Sequence, residues 1–320
     1  MVLLLKHINF WGANKCIGIQ NYINYIKHGL EKRGFHIMID NNSHNPDIVV
    51  SSVFGDPSSL SIFDTSKTFI IVMTGENTEL PQFKKWSYSN IVSKYNIGAY
   101  IGFDRMEGVN RFRVPNWIFR HKLYQKNNIE LTNYLKHNEF VTLKGREKHI
   151  AMIYSHGNNK RDTFYNKSVL KNIHVLCGGK FKHNDKQLRE LESENNGINA
   201  KIKYLSEFMF NVCCENSNTN GYCTEKLLEC AIARCIPIYW GDYENEEIFN
   251  QDRILKCKVV DEKSIDDIID KVLQMLHNEE CFKSFFNQPI FKSEAVDIIN
   301  VFIHKSDLIA NRFLKFKNII

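Results

Sequence analysis

Long apolar runs are missing from this 320-residue chain. No stretch of about 20 apolar residues is available to span a bilayer, and the opening MVLLLKHINF is too short for the apolar region of a secretion signal, so a soluble chain is expected. CxxC pairs are missing too. The nine cysteines are an odd number, and Cys213, Cys214, Cys223, Cys230, Cys235 and Cys257 crowd among apolar neighbours with no histidine interleaved. That pattern argues against a zinc site and for reduced core thiols in a cytoplasmic setting. Asn41-Asn42-Ser43 and Asn166-Lys167-Ser168 match the glycosylation sequon, but without a secretion signal they are expected to stay unmodified. Runs of lysine and arginine are absent. The formal net charge of +6 is spread along the chain, which speaks against a nucleic-acid arm and fits a small anionic ligand equally well. Internal repeats, low-complexity tracts and a heptad array are likewise lacking, so no coiled-coil argument for a dimer arises.

What is present is an alternation of short apolar strands and amphipathic helices, with 43% hydrophobic residues to build cores. The length favours two domains of about 150 residues each. Strands are expected at Val2 to Leu5, Phe35 to Ile39, Asp47 to Ser51, Thr68 to Met73 and Ala99 to Phe103, with Phe10-Trp11-Gly12 after the first. A helix is expected around Ile19 to Lys32, where Tyr22, Ile23, Ile26 and Leu30 share a face and Gly34 stops it. From Leu123 to Lys148 the composition turns polar, and the domain boundary is placed there. The second half repeats the alternation: a strand at His149 to Tyr154, a helix near Phe164 to Asn172, a strand at His174 to Cys177, and a helix from Ile265 to His277 with Ser264 as its N-cap. The expected division is 1–145, 146–293 and an amphipathic tail at 294–320.

The stretch CENSNTNGYCTEKLLECAIARCIPIYWG, Cys214 to Gly241, carries the most information. A polar, glycine-bearing loop feeds a helix that opens at Glu225-Lys226, and the apolar Ile236 to Trp240 then reads as a buried strand. The first N–H groups of a helix have no internal partner and sit at the positive end of its dipole, so such a start holds an anion. Lys226 is poorly placed for its own helix dipole, which suggests that its charge serves a phosphate outside the helix. Glu215, Asn216, Ser217 and Asn218 suit sugar hydroxyls, Gly221 permits a tight turn, and Tyr222 offers an aromatic face. The bland alternative is a surface αβ unit with an incidental Glu-Lys pair.

Three further clusters are weighed against ordinary surface or core roles. Glu76, in Thr74-Gly75-Glu76-Asn77, follows a strand and could accept a proton from a substrate hydroxyl, or be a solvated loop carboxylate. Arg161, in Asn158 to Tyr165, offers a fork of donors for phosphate oxygens, or half of a solvated Lys-Arg pair. Tyr100 to Asp104, YIGFD, could shape an acceptor side, or simply close a strand in the first core.

Taken in order, Pro46 to Val49, Thr74 to Asn77, Ile101 to Asp104, Arg161 to Tyr165 and Glu215-Asn216 through Tyr222 to Gly241 resemble the α1,3/4-fucosyltransferases, in particular soluble bacterial members that decorate lipopolysaccharide with Lewis-antigen sugars. The Tyr-x-Thr-Glu-Lys core followed by Ile-Pro-Ile-Tyr-Trp-Gly is the most specific part. The resemblance implies an α/β GT-B glycosyltransferase architecture, two Rossmann-like domains facing a cleft, with the acceptor domain first and the GDP-fucose domain second. It implies inverting transfer of L-fucose from GDP-fucose to an oligosaccharide acceptor, the O3 of GlcNAc in an N-acetyllactosamine-type glycan. Glu76 falls on the catalytic base, Arg161 and Lys226 on the diphosphate contacts that stabilise the leaving group, Glu225 on the ribose-binding carboxylate, Tyr222 on a nucleotide contact and Asn216 on a donor-site asparagine, with Glu215 beside it. No metal or other cofactor is required by that chemistry, and no nucleic-acid partner is expected. Met73, Cys214, Cys223 and Asp162 depart from the family pattern and bear on the fit of the nucleotide rather than on the reaction class.

Two other readings remain open on the residues: a GT-B enzyme using another nucleotide sugar, and a non-catalytic glycan- or nucleotide-sugar-binding module. For the tail, Ile298, Phe302, Ile309, Phe313 and Phe316 share one side, with Lys305, Arg312, Lys315 and Lys317 elsewhere. Packing against a domain is the favoured reading, and peripheral contact with a membrane surface is the alternative.

Overall fold

Burial on both faces is what an all-parallel sheet demands of its strands, and the apolar runs IVVS, FIIVM, AYIG and IPIYW meet that demand with every residue buried. The computed structural model describes residues 1–11, 18–106, 108–136, 146–194, 197–242, 248–257 and 261–320. Gly12 and positions 137–145 of the polar stretch lie outside the described residues. The chain divides into two compact units.

The first unit comprises Met1–Asn127, Thr219–Tyr222 and Asp297–Ile320. Its elements are β1 (Val2–Ile8), α1 (Ile19–Glu31), β2 (His36–Ile39), β3 (Ile48–Ser51), β4 (Phe69–Met73), α2 (Tyr88–Val92), β5 (Ala99–Gly102), β6 (Arg111–Arg113) and α3 (Asn116–Arg120). The strands form one sheet in the order β2-β1-β3-β4-β5-β6, parallel throughout. Val49, Ile70, Val72, Trp86, Ile91 and Tyr100 are central to a core on this sheet. Gly34 follows α1 with φ +80°, a conformation that favours glycine and ends the helix as expected.

The second unit comprises Asn128–Asn218 and Cys223–Val296. It contains α4 (Asn128–Lys136), β7 (Lys148–Met152), α5 (Asn159–Leu170), β8 (Val175–Cys177), α6 (Gln187–Glu194), α7 (Gly197–Leu205), β9 (Phe208–Cys214), α8 (Glu225–Ile232), β10 (Ile236–Trp240), β11 (Leu255–Lys256), α9 (Glu262–His277) and α10 (Glu279–Phe286). Its parallel sheet runs β11-β10-β9-β7-β8. Ile150, Phe210, Val212, Ile236 and Ile238 from the strands meet Ile265, Ile269 and Val272 of α9 and Phe282 and Phe286 of α10 in one core.

Three boundaries differ from expectation. The units change over at Asn127/Asn128 rather than at 145/146, because the polar stretch conceals α4, whose Leu131 and Leu135 are buried one turn apart. Helix α9 starts earlier than expected: its N-cap is Asp261, whose carboxylate accepts from Ser264 N at 2.7 Å, so Ser264 donates to the cap instead of being it. The tail is a helix, α11 (Ala295–Phe316), and from Asp297 it belongs to the first unit. Its Phe302, Ile309 and Phe313 are buried, Tyr25 of α1 donates to Phe302 O at 2.6 Å, and Arg33 binds Asp307 Oδ1 at 3.0 Å. The apolar face therefore packs against its own unit. Among the described residues, no helix is long and apolar enough to cross a membrane.

Candidate functional site

In the second unit, the three consecutive residues at the end of β9, Cys214-Glu215-Asn216, gather two cations from two helix starts. Asn158 caps α5, accepting from Arg161 N at 3.0 Å. That cap places Arg161 in the first turn, where it is only 5% exposed. Its guanidinium donates to His156 O at 2.8 Å, Cys214 O at 3.2 Å and Asn216 Oδ1 at 3.0 Å. The Cζ atom lies 3.9 Å from the Tyr154 ring centroid. Tyr154 is itself fixed, its phenol donating to Val212 O at 2.5 Å and accepting from Cys214 N at 2.8 Å, and burial raises its pKa well above the usual phenol value. Arg161 Nε is buried without a hydrogen-bond partner.

The second cation is Lys226. Glu215 is fully buried (0% exposed), and its Oε1 accepts from Thr224 N at 2.8 Å while Oε2 accepts from Lys226 Nζ at 2.9 Å. Thr224, the N-cap residue of α8, also brings its hydroxyl within 2.9 and 2.7 Å of the two carboxylate oxygens. Lys226 Nζ lies 2.8 Å from Thr224 Oγ1 and 4.0 Å from Glu225 Oε1. Two outcomes follow for the sequence expectations. Glu215, expected among the donor contacts, faces inward and organises the start of α8. Lys226, expected to serve a phosphate outside its helix, has the Glu215 carboxylate holding its ammonium near that helix start. Asn216 is exposed and joined to Arg161, and Glu225 is half-buried beside Lys226. Gly241 is required here, since a Cβ would fall 2.5 Å from the Tyr239 hydroxyl and 2.8 Å from Glu215 Cγ.

In the sequence Lys160, next to Arg161, stands out only as half of a charged pair. Its ammonium sits 3.1 Å from the centroid of the Trp240 ring, and burial lowers its pKa from the usual lysine value. Nothing in the sequence singles out Tyr154, Thr224 or Lys160 as neighbours of this cluster. The signal available for Arg161 was the Asn158 cap three residues earlier.

In the first unit, Glu76 follows β4 in a turn closed by Thr74, whose Oγ1 accepts from Glu76 N at 2.9 Å. Glu76 is half-buried. A Cβ on the neighbouring Gly75 would lie 3.4 Å from both the Tyr22 hydroxyl and the Asn116 side chain, and the Tyr22 phenol donates to Asn116 Oδ1. Tyr222 belongs to this unit, 3% exposed and edge-on to Phe103 at 4.8 Å. Gly221 before it has φ +82°, and a Cβ there would meet Phe103 O at 2.3 Å. YIGFD is a core strand end: Tyr100, Ile101 and Phe103 are buried and Asp104 pairs with Arg111 at 2.6 Å. Among the described residues, no three His, Cys, Asp or Glu side chains are grouped as metal ligands.

Residues 143–297 match the family model "Glycosyltransferase family 10 (fucosyltransferase) C-term". An alpha-(1,3)-fucosyltransferase of Helicobacter pylori is 27% identical over 303 residues, 85% of this chain and 56% of that protein. A protein of Acanthamoeba polyphaga mimivirus whose name proposes a fucosyltransferase is 31% identical over 160 residues, 49% of this chain and 26% of its own length. The chain thus spans about half or less of the curated relatives it matches. The crystal structure of an alpha1,3-fucosyltransferase superposes with a TM-score of 0.63 over 96% of this chain and 90% of the other, at 20% identity. A crystal structure of an alpha1,3-fucosyltransferase with GDP-fucose superposes with a TM-score of 0.59 at 19% identity, over 95% of this chain and 90% of the other. At such identities the likeness establishes the fold. The chain has the GT-B fold, and its residues 143–297 are similar to the C-terminal domain of glycosyltransferase family 10 (fucosyltransferase).

Proposed function

We propose that the protein transfers L-fucose from GDP-fucose to the O3 of GlcNAc in an N-acetyllactosamine-type glycan, with inversion at the anomeric carbon. The observation that carries this reading is the gathering of Arg161 and Lys226, each in the first turn of a helix, on Cys214-Glu215-Asn216. A diphosphate needs two preplaced cations and finds unpaired N–H groups at helix starts. In the reaction the bond between fucose C1 and the phosphate oxygen breaks and its electron pair leaves on GDP, where Arg161 and Lys226 offset the growing negative charge. The acceptor O3 bonds to C1, and its proton passes to the Glu76 carboxylate as general base. Glu225 and Asn216, in the same unit, complete the nucleotide contacts in this reading, whereas Tyr222 is buried against Phe103 in the first unit and is not assigned one. With two fixed cations at the leaving group, turnover requires no metal.

The names of the matching family and of the curated relatives support fucose as the sugar moved. The test is a panel of GDP- and UDP-sugars with lactose and N-acetyllactosamine, read by product mass with and without EDTA. A product from GDP-fucose that persists in EDTA is expected. A product from another donor only would remove the reading. Glu76→Gln should lower turnover by roughly 10²–10⁴-fold while GDP still binds. If turnover is undiminished, Glu76 is not the base.

A further inference from the structure

Strands β1, β3 and β4 are neighbours in the first sheet, and the chain just beyond their carboxyl ends carries Trp11, Phe54 and Glu76 respectively. Outside the carboxyl ends of parallel strands, loops leave room for ligands. The Trp11 ring packs edge-on to Phe54 at 5.7 Å and to Tyr22 at 5.5 Å, and Phe54 packs edge-on to Phe83 at 5.6 Å. The row ends in polar groups: the Tyr22 phenol joins Asn116, and both lie 3.4 Å from where a Cβ on Gly75, next to Glu76, would stand. Phe54 is 44% exposed, while Trp11 and Phe83 are partly exposed.

The exposed ring is not on a frayed loop. Phe54 N donates to Asn9 O at 3.0 Å, and the Asn9 amide donates to Ser51 Oγ at 3.0 Å and Ser59 Oγ at 2.8 Å. Trp86 Nε1 donates to Gly55 O at 3.0 Å, and Gly55 has no room for a side chain, since its Cβ would fall 1.9 Å from Asn9 Oδ1. Holding a phenylalanine rigidly in solvent costs stability that a bound apolar surface recovers.

We propose that Trp11, Phe54 and Phe83 form a carbohydrate platform on which the apolar C–H face of one acceptor pyranose rests, with the Tyr22–Asn116 pair beside the hydroxyl presented to Glu76. A rigid aromatic row leading into hydroxyl, amide and carboxylate groups matches a sugar ring, which has an apolar face and a polar rim. The proposal rests on the acceptor role given to this unit above.

The test measures N-acetyllactosamine binding to the full chain by saturation-transfer NMR and calorimetry, for the native protein and for Phe54→Ala, Phe54→Tyr and Trp11→Ala. Circular dichroism and urea unfolding of each variant serve as the folding check for this unit, and GDP affinity should stay unchanged because Arg161 and Lys226 lie in the other unit. Affinity for the disaccharide is expected to fall about tenfold in the alanine variants and to be kept in Phe54→Tyr. Unchanged affinity in both alanine variants, or no binding to the native protein, overturns the platform. Phe54-dependent glycan binding without transfer from GDP-fucose would keep the platform and sink the proposed reaction instead.

Discussion

The Arg161 guanidinium is a structural tie, joining β9 to the start of α5 through His156 O, Cys214 O and Asn216, and its buried Nε remains to be satisfied. A lysine would keep the charge but lose the planar fork that spans three acceptors and stacks on Tyr154. Arg161→Lys is therefore expected to weaken GDP binding nearly as much as Arg161→Ala, and Lys226→Ala should do likewise. Each loss should amount to about 1.5–3 kcal/mol, the range of a hydrogen bond to a charged group. Calorimetric titration with GDP checks this, and unchanged affinity in all three variants removes the donor-site assignment. The types of these residues were readable in the sequence because a lysine at the wrong end of a helix dipole stands out. Their partners were not. Glu215 looks, as a letter among Asn and Ser, like another surface polar residue; only the fold shows that it is buried under Thr224 with Lys226 as its counter-charge.

Among elements, the central strands announced themselves because double-sided burial writes a continuous apolar run, as in β3, β4 and β10. The three-residue β6, RFR, did not, since two of its residues are arginines. Arg113 nevertheless is buried, its Nε donating to Phe103 O at 2.8 Å. Helix α4 escaped notice because a buried Leu131 and Leu135 are too few to mark a helix within polar sequence. Helix α11 was legible as amphipathic, but its partner was not. The contact is tight at Gly29 of α1, where a Cβ would lie 2.2 Å from Ser306 O, a backbone atom held in a helix. Gly29→Ala should accordingly lower stability by roughly 1–3 kcal/mol through forced displacement, despite alanine's better helix propensity. Urea unfolding measures it. A neutral or stabilising effect would mean that α11 is not seated on α1 in solution.

Across the whole molecule, each unit carries histidines that folding makes harder to protonate. Burial lowers the pKa of His7 and His28 in the first unit, and in the second it lowers that of His149, helped by the neighbouring His174 and His277. For each, the folded pKa lies below the ordinary 6.5. The unfolded chain then binds protons in a range where the folded chain does not, so stability rises with pH across that range. Above 6.5 the histidines exert no penalty. As pH falls through 6.5 toward each folded pKa, stability drains away, and below the folded values the loss is complete. The melting temperature is thus expected to drop between pH 7.5 and pH 5.5, well above the range in which ordinary carboxylates titrate. His149→Gln should flatten the decline of the second unit, and His28→Gln that of the first. Tryptophan fluorescence and GDP-dependent stabilisation separate the two transitions, because GDP should shift only the unit that holds Arg161 and Lys226. Equal slopes in both variants and the native chain would show that the histidines do not control acid stability.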